Sequence, residues 1–108
     1  MENPIINALE RTPVIAATDR AGWQSAVLSD TEVLFYLGAD IITVGDDIGA
    51  AKKNGKFVFI HIDSAYGIGK DKAGIHWLKR LGADGIISTR TQLIRAGARL
   101  KLKLTAII

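Results

Sequence analysis

Short apolar runs alternate along this chain with longer stretches whose apolar residues recur every three or four positions. Pro13–Ala17 (PVIAA), bounded by Pro13 and Thr18-Asp19, reads as a buried strand, and Val33–Leu37 as a second one ended by Gly38. Phe57–Ile62 (FVFIHI) is the clearest strand, β-branched, aromatic and almost wholly apolar, which suits burial on both faces of a parallel sheet. Gly85–Ile87 and Leu100–Ile108 complete the strand-like runs. Between them, helical spacing places Trp23, Ala26 and Val27 on one face of a helix over Ala21–Leu28, capped by Asp19. A helix is predicted over Ile41–Lys53, stopped by Asn54-Gly55. Others are predicted over Asp71–Leu81, with Ile75, Trp77 and Leu78 as its apolar positions, and from Thr91 to Ala98. Pro4–Leu9 reads as a helical turn and Ser64–Gly69 as a loop.

Repeated βα order argues for parallel βαβ units and an α/β fold. Five such strands make either a small doubly wound sheet or the opening part of a (β/α)8 barrel, which typically needs about 250 residues. The chain has 108 residues and ends on the apolar Ala106-Ile107-Ile108. The expectation is therefore one TIM-barrel-like domain over residues 1–108, a truncated or half (β/α)8 barrel incomplete at its C-terminus. Two half-barrels closing on each other would give a homo-oligomer.

Hydrophobic residues make up 48% of the chain, enough for a core, so wholesale disorder is not expected. There is no cysteine, which rules out disulfides and thiolate metal sites and suits a reducing compartment. No apolar run reaches the length of a membrane span, and MENPIINALERTP lacks the basic start and apolar stretch of a signal peptide. A cytoplasmic location without membrane contact follows as the expectation. A formal charge of +3 is compatible with an anionic partner, RNA or a phosphorylated metabolite, and equally with ordinary solubility.

In parallel α/β sheets ligands lie off the carboxyl ends of the strands. His61-Ile62-Asp63 and Ser88-Thr89-Arg90 occupy such ends. Asp63 there would accept hydrogen bonds from a polyol, or else cap a neighbouring segment or pair with a lysine. His61, within an apolar run, reads first as a hydrogen-bonded core residue. The Gly67-Ile68-Gly69-Lys70 loop precedes a helix whose N–H groups favour anions, and Lys70 adds a charge. It lacks the spacing of a nucleotide-triphosphate loop. Ser88, Thr89 and Arg90 are the first choice for ligand contact, since a guanidinium binds phosphate bidentately. The structural alternative is a helix cap with Arg90 paired to an acid. For RNA the candidates are Arg95, Arg99, Lys101 and Lys103, with Lys52, Lys53 and Lys56 as a second cluster. Contacts of that kind would be to phosphates, without sequence specificity. The alternative is a solvated basic face. Trp23 and Trp77 read as packing residues. No catalytic motif or metal-ligand spacing is present, and no cofactor is expected. Asp63 with Lys70 is the one acid–base pairing that a phosphosugar-binding barrel enzyme of lyase or isomerase type would use.

Pro13–Ala17, then Asn54-Gly55-Lys56 before the strand ending His61-Ile62-Asp63, then Gly67-Ile68, Lys70-Asp71 and Gly74, and above all Gly85-Ile86-Ile87-Ser88-Thr89-Arg90, resemble the glycerol-3-phosphate-responsive antiterminators of bacterial glycerol uptake operons. The match is dense from Asn54 to Arg90, scattered before Lys53, and covers the first half of the family's length. The resemblance implies a small (β/α)8 barrel that is a regulator and not an enzyme. It would bind glycerol 3-phosphate as effector and act on the leader mRNA of glycerol operons to prevent transcription termination. Such a switch requires the metabolite to bind two states of the protein unequally.

Overall fold

Three side-chain caps start the helices, each satisfying a backbone N–H that the first turn leaves without a partner. Asn3 Oδ1 accepts from Ile5 N (2.8 Å) and opens α1, Pro4–Arg11. Asp19 Oδ1 accepts from Gly22 N (3.4 Å) at the head of α2, Arg20–Leu28. Asp71 Oδ1 accepts from Gly74 N (2.9 Å) at the head of α4, Lys72–Leu81. Helix α3 spans Val44–Lys53 and α5 spans Thr91–Arg99. The computed structural model describes residues 3–99 and 104–106. In it the strands β1 (Ile15–Thr18), β2 (Val33–Tyr36), β3 (Phe57–His61), β4 (Gly85–Ile87) and β5 (Leu104–Ala106) form one sheet in the order β1-β2-β3-β4-β5, every pairing parallel.

Alternation along the strands divides the core in two. Leu34, Tyr36, Val58, Ile60 and Ile86 point to the face covered by the helices that follow the strands, where they meet Trp23, Val27, Ile48, Ile75, Leu78 and Leu93. Trp23 and Tyr36 stack with centroids 4.3 Å apart. The tyrosine hydroxyl bonds to Asp47 and the indole N–H donates to the Asp47 carbonyl (2.8 Å), so both buried polar tips find partners. Val33, Phe59 and Ile87 point to the other face, where α1 lays Ile5 and Ala8 against them. That face is only partly covered: Phe35 and Phe57 are half-buried, and Ile15 is 41% exposed.

Three expectations are corrected. Pro13–Ala17 is not a buried strand. The strand begins at Ile15 and is the edge strand of the sheet, with Val14 and Ile15 exposed, because among the described residues no strand pairs with it on its outer side. The helix predicted from Ile41 begins at Val44. Residues 40–43 instead make one isolated bridge and then turn: Asp40 bridges Tyr66 in parallel beyond β2 and β3, and its carboxylate accepts from Ile42 N (2.8 Å), leaving Ile42 in solvent. The sequential order also excludes a doubly wound sheet, in which the strand order reverses. The last strand is described only over Leu104–Ala106, and Ile107 and Ile108 lie outside the described residues.

Candidate functional site

Strand β3 runs straight into a 3-10 turn, Ile62–Ser64, that buries Ile62 and turns Asp63 towards the end of β4. There the Asp63 carboxylate gathers the whole Ser88-Thr89-Arg90 segment. Ser88 Oγ donates to Oδ1 (2.8 Å), and Thr89 donates to Oδ2 from its backbone N–H (2.9 Å) and its hydroxyl (3.2 Å). Ser88, fully buried, accepts in turn from Arg90 N (2.9 Å). Arg90 Nε stands 3.8 Å from Asp63 Oδ1, a loose pairing with the arginine side chain 49% exposed. The guanidinium is thus held by one edge and open at the other, the form in which an arginine takes a phosphate or carboxylate. Partial burial pushes the Asp63 carboxyl up, but the Thr89 N–H, the two hydroxyls and the Arg90 charge outweigh it, and its pKa lies below the ordinary carboxylate value. An ionised carboxylate is an acceptor and not a proton donor.

A second serine joins β2 to β3. Ser64 Oγ accepts from Gly38 N (2.9 Å) and lies 2.7 Å from His61 Nδ1 and 3.1 Å from the His61 carbonyl. His61 is half-buried and bonded within its own turn.

The other predicted ligand residues sit apart from this cluster. Lys70 Nζ donates to the Ala65 carbonyl (3.0 Å), and among the described residues no hydrogen bond or ion pair joins it to Asp63. The acid–base pair considered from sequence is not assembled. Gly67, at φ 74°, stands where a Cβ would lie 2.7 Å from Ile41 Cγ2. Its loop lines a cavity of about 300 Å³ with Ile41, Ile68, Ala73, Gly74 and Trp77. Trp77, read from sequence as a packing residue, is 36% exposed at this wall. Ile41 and Trp77 were missed as a pair because the Asp40–Tyr66 bridge, which ties the Ile41 segment to the loop before α4, joins residues distant in sequence.

The basic candidates divide as well. Arg95 and Arg99 are exposed on α5, and Lys53 is exposed at the end of α3. Lys52 instead donates to Asp84 Oδ2 (2.7 Å) and the Lys56 carbonyl (2.8 Å). Lys56 is buried and donates to the Ser29 carbonyl (2.6 Å). Both ammonium groups are thus engaged inside the fold. Lys101 and Lys103 lie outside the described residues. Among the described residues no cluster of three potential ligands is placed to hold a metal, and no helix is long and apolar enough to cross a membrane.

Comparison with known proteins places this arrangement. A crystal structure of a glycerol uptake operon antiterminator regulatory protein from Listeria monocytogenes superposes with a TM-score of 0.77 at 25% identity, covering 87% of this chain and 52% of that one. A glycerol uptake operon antiterminator-related protein from Thermotoga maritima gives 0.75 at 26% identity, covering 86% and 52%. The uncharacterized protein YgcP of Escherichia coli is 36% identical over 95 residues, which is 86% of this chain and 50% of that protein. The chain thus spans about half the length of the relatives it matches. The model of one family, the glycerol-3-phosphate responsive antiterminators, matches residues 14–107, the whole sheet and every helix after α1. The chain belongs to that family.

Proposed function

We propose that this chain is the effector-sensing half of a glycerol-3-phosphate-responsive, leader-RNA-binding antiterminator that acts in the bacterial cytoplasm on glycerol uptake genes, without catalysis. The observation that carries the reading is the Asp63-organised segment: a buried serine, a threonine and a half-free arginine fixed at the carboxyl edge of β3 and β4. Arg90 takes the phosphate and the exposed Thr89 hydroxyl a glycerol oxygen. The family match supports the choice of ligand. The ionised state of Asp63 and its separation from Lys70 favour binding over proton transfer.

In this reading the domain is the first half of a (β/α)8 barrel. Strands that follow one another in sequential parallel order wind in one direction, as barrel strands do. Two copies closing across β1 and the partly covered face would match the length of the relatives, which this chain spans by about half.

Calorimetric titration with glycerol 3-phosphate tests the site. The expected result is saturable binding, weakened at least about tenfold by Arg90→Met, since a charge-assisted bidentate contact is worth roughly 1.5–3 kcal/mol. Equal binding of glycerol and glycerol 3-phosphate, or an Arg90→Met protein that binds as the parent does, overturns it.

A further inference from the structure

Charge is unevenly divided along this chain. Residues 72–108 carry eight Lys and Arg and one acid, a net +7, while residues 1–71 carry six and ten, a net −4, which together give the chain's +3. The single acid of the second part, Asp84, is 6% exposed and bonded to Lys52. The surface built from α4 and α5 therefore presents cations with no acid of its own between them.

The helices sort these cations onto one side. In α4, Gly74, Ile75 and Leu78 face the core, and Leu81 marks the flank next to α3, where it stands 3.6 Å from the place a Cβ on Gly45 would take. Lys72, His76 and Arg80, at i, i+4 and i+8, form an exposed row away from that flank. Helix α5 packs alongside α4, burying Leu93 and Gly97, and exposes Arg95 and Arg99, again four apart. Among the described residues Lys72, Arg80, Arg95 and Arg99 form no ion pair, in contrast to Lys52, which pairs with Asp84. Asp71, the acid at the head of α4, is engaged in its cap.

We infer that the α4–α5 face, through Lys72, Arg80, Arg95 and Arg99 with His76 between them, is the surface that takes the RNA phosphate backbone, and that the Lys52–Lys53 end of α3 is not. Cations about 12 Å apart along α4 and about 6 Å apart along α5 suit a polyanion and carry no base readout. Sequence discrimination must therefore come from elsewhere in the complete assembly or from the shape of the RNA. The inference rests on the antiterminator reading for the identity of the polyanion.

The test is fluorescence anisotropy of a labelled glycerol-operon leader RNA, titrated with the 108-residue chain over a salt series. The proteins are the parent, Lys72→Glu/Arg80→Glu, Arg95→Glu/Arg99→Glu and Lys53→Glu, with far-UV circular dichroism confirming that each is folded. All four side chains mutated in the two double variants are exposed, so folding is retained. The expected result is a loss of at least about tenfold in affinity for each double variant, with the slope of log K against log salt reduced by roughly two, one per cation removed. Lys53→Glu stays within about twofold of the parent. A parent that binds RNA while both double variants bind equally well overturns the assigned face and leaves the antiterminator reading standing. A parent that binds no RNA at low salt overturns both.

Discussion

The two ends of this sheet carry one chemistry in two forms. At the amino end, just before β4, Asp84 is 6% exposed and accepts from Lys52 Nζ (2.7 Å) and Val58 N (2.9 Å), while Lys52 also rests 5.2 Å above the Phe57 ring. At the carboxyl end, just after β3, Asp63 likewise holds a backbone N–H and a cation, but at 3.8 Å and with the arginine half in solvent. Both carboxylates join β3 to β4. The first joins them with its cation consumed, and the second with its cation left available. A buried, close pair is strongly damaged when one partner is removed, whereas an exposed, loose one contributes little and leaves its charge free for a ligand.

That contrast is open to direct attack. Asp84→Ala removes acceptors from both Lys52 and Val58 N and is expected to lower unfolding free energy by about 3 kcal/mol, measured by urea denaturation. Asp63→Ala is expected to cost about 1.5 kcal/mol in the same assay, because its partners regain water at a partly exposed site. If the order of these two losses is reversed, the division of labour between the ends is wrong. Arg90→Met is expected to leave stability within about 0.5 kcal/mol while weakening glycerol 3-phosphate binding, the signature of a side chain kept for a ligand. The smallest effect is on pH dependence. With its pKa held below the ordinary value near 3.8, Asp63 contributes stability that is fully present above that value and is lost as pH falls through the folded pKa. The advantage of the parent over Asp63→Asn in thermal midpoint should therefore shrink from about pH 5 to about pH 3. A gap that is constant or grows on acidification contradicts the assignment.

Much of this was legible from residue order alone. Asp19 and Asp71 announce the helices they cap, and the apolar runs at β2, β3 and β4 fall within a residue or two of their observed limits. Ser88-Thr89-Arg90 was rightly set at a strand end, because a polar stop after GII needs no tertiary knowledge, whereas its bonding to Asp63 was not read from the sequence. What escaped depends on neighbours that are distant in sequence. Ile41 and Ile42 look like the start of a helix until Tyr66 draws Asp40 into a bridge. Val14 and Ile15 look buried until the sheet order puts them at an edge. Lys52 and Lys56 look like a basic patch until Asp84 and the Ser29 carbonyl claim their ammonium groups. Composition records a charge, but only packing shows whether that charge faces water.

The strictly sequential strand order also bears on how the chain acquires its structure. Every strand pairs only with the ones before and after it along the chain, and α2, α3 and α5 each pack against a strand they connect. Each strand pairing therefore closes the shortest loop a parallel sheet allows, and a shorter closure costs less entropy. Each βα unit has its docking surface ready as it leaves the ribosome, so the sheet is suited to grow from the amino end by accretion. Its slowest unit should then be the one that must recruit a partner from outside the run, namely α1, which crosses back to lie on the opposite face.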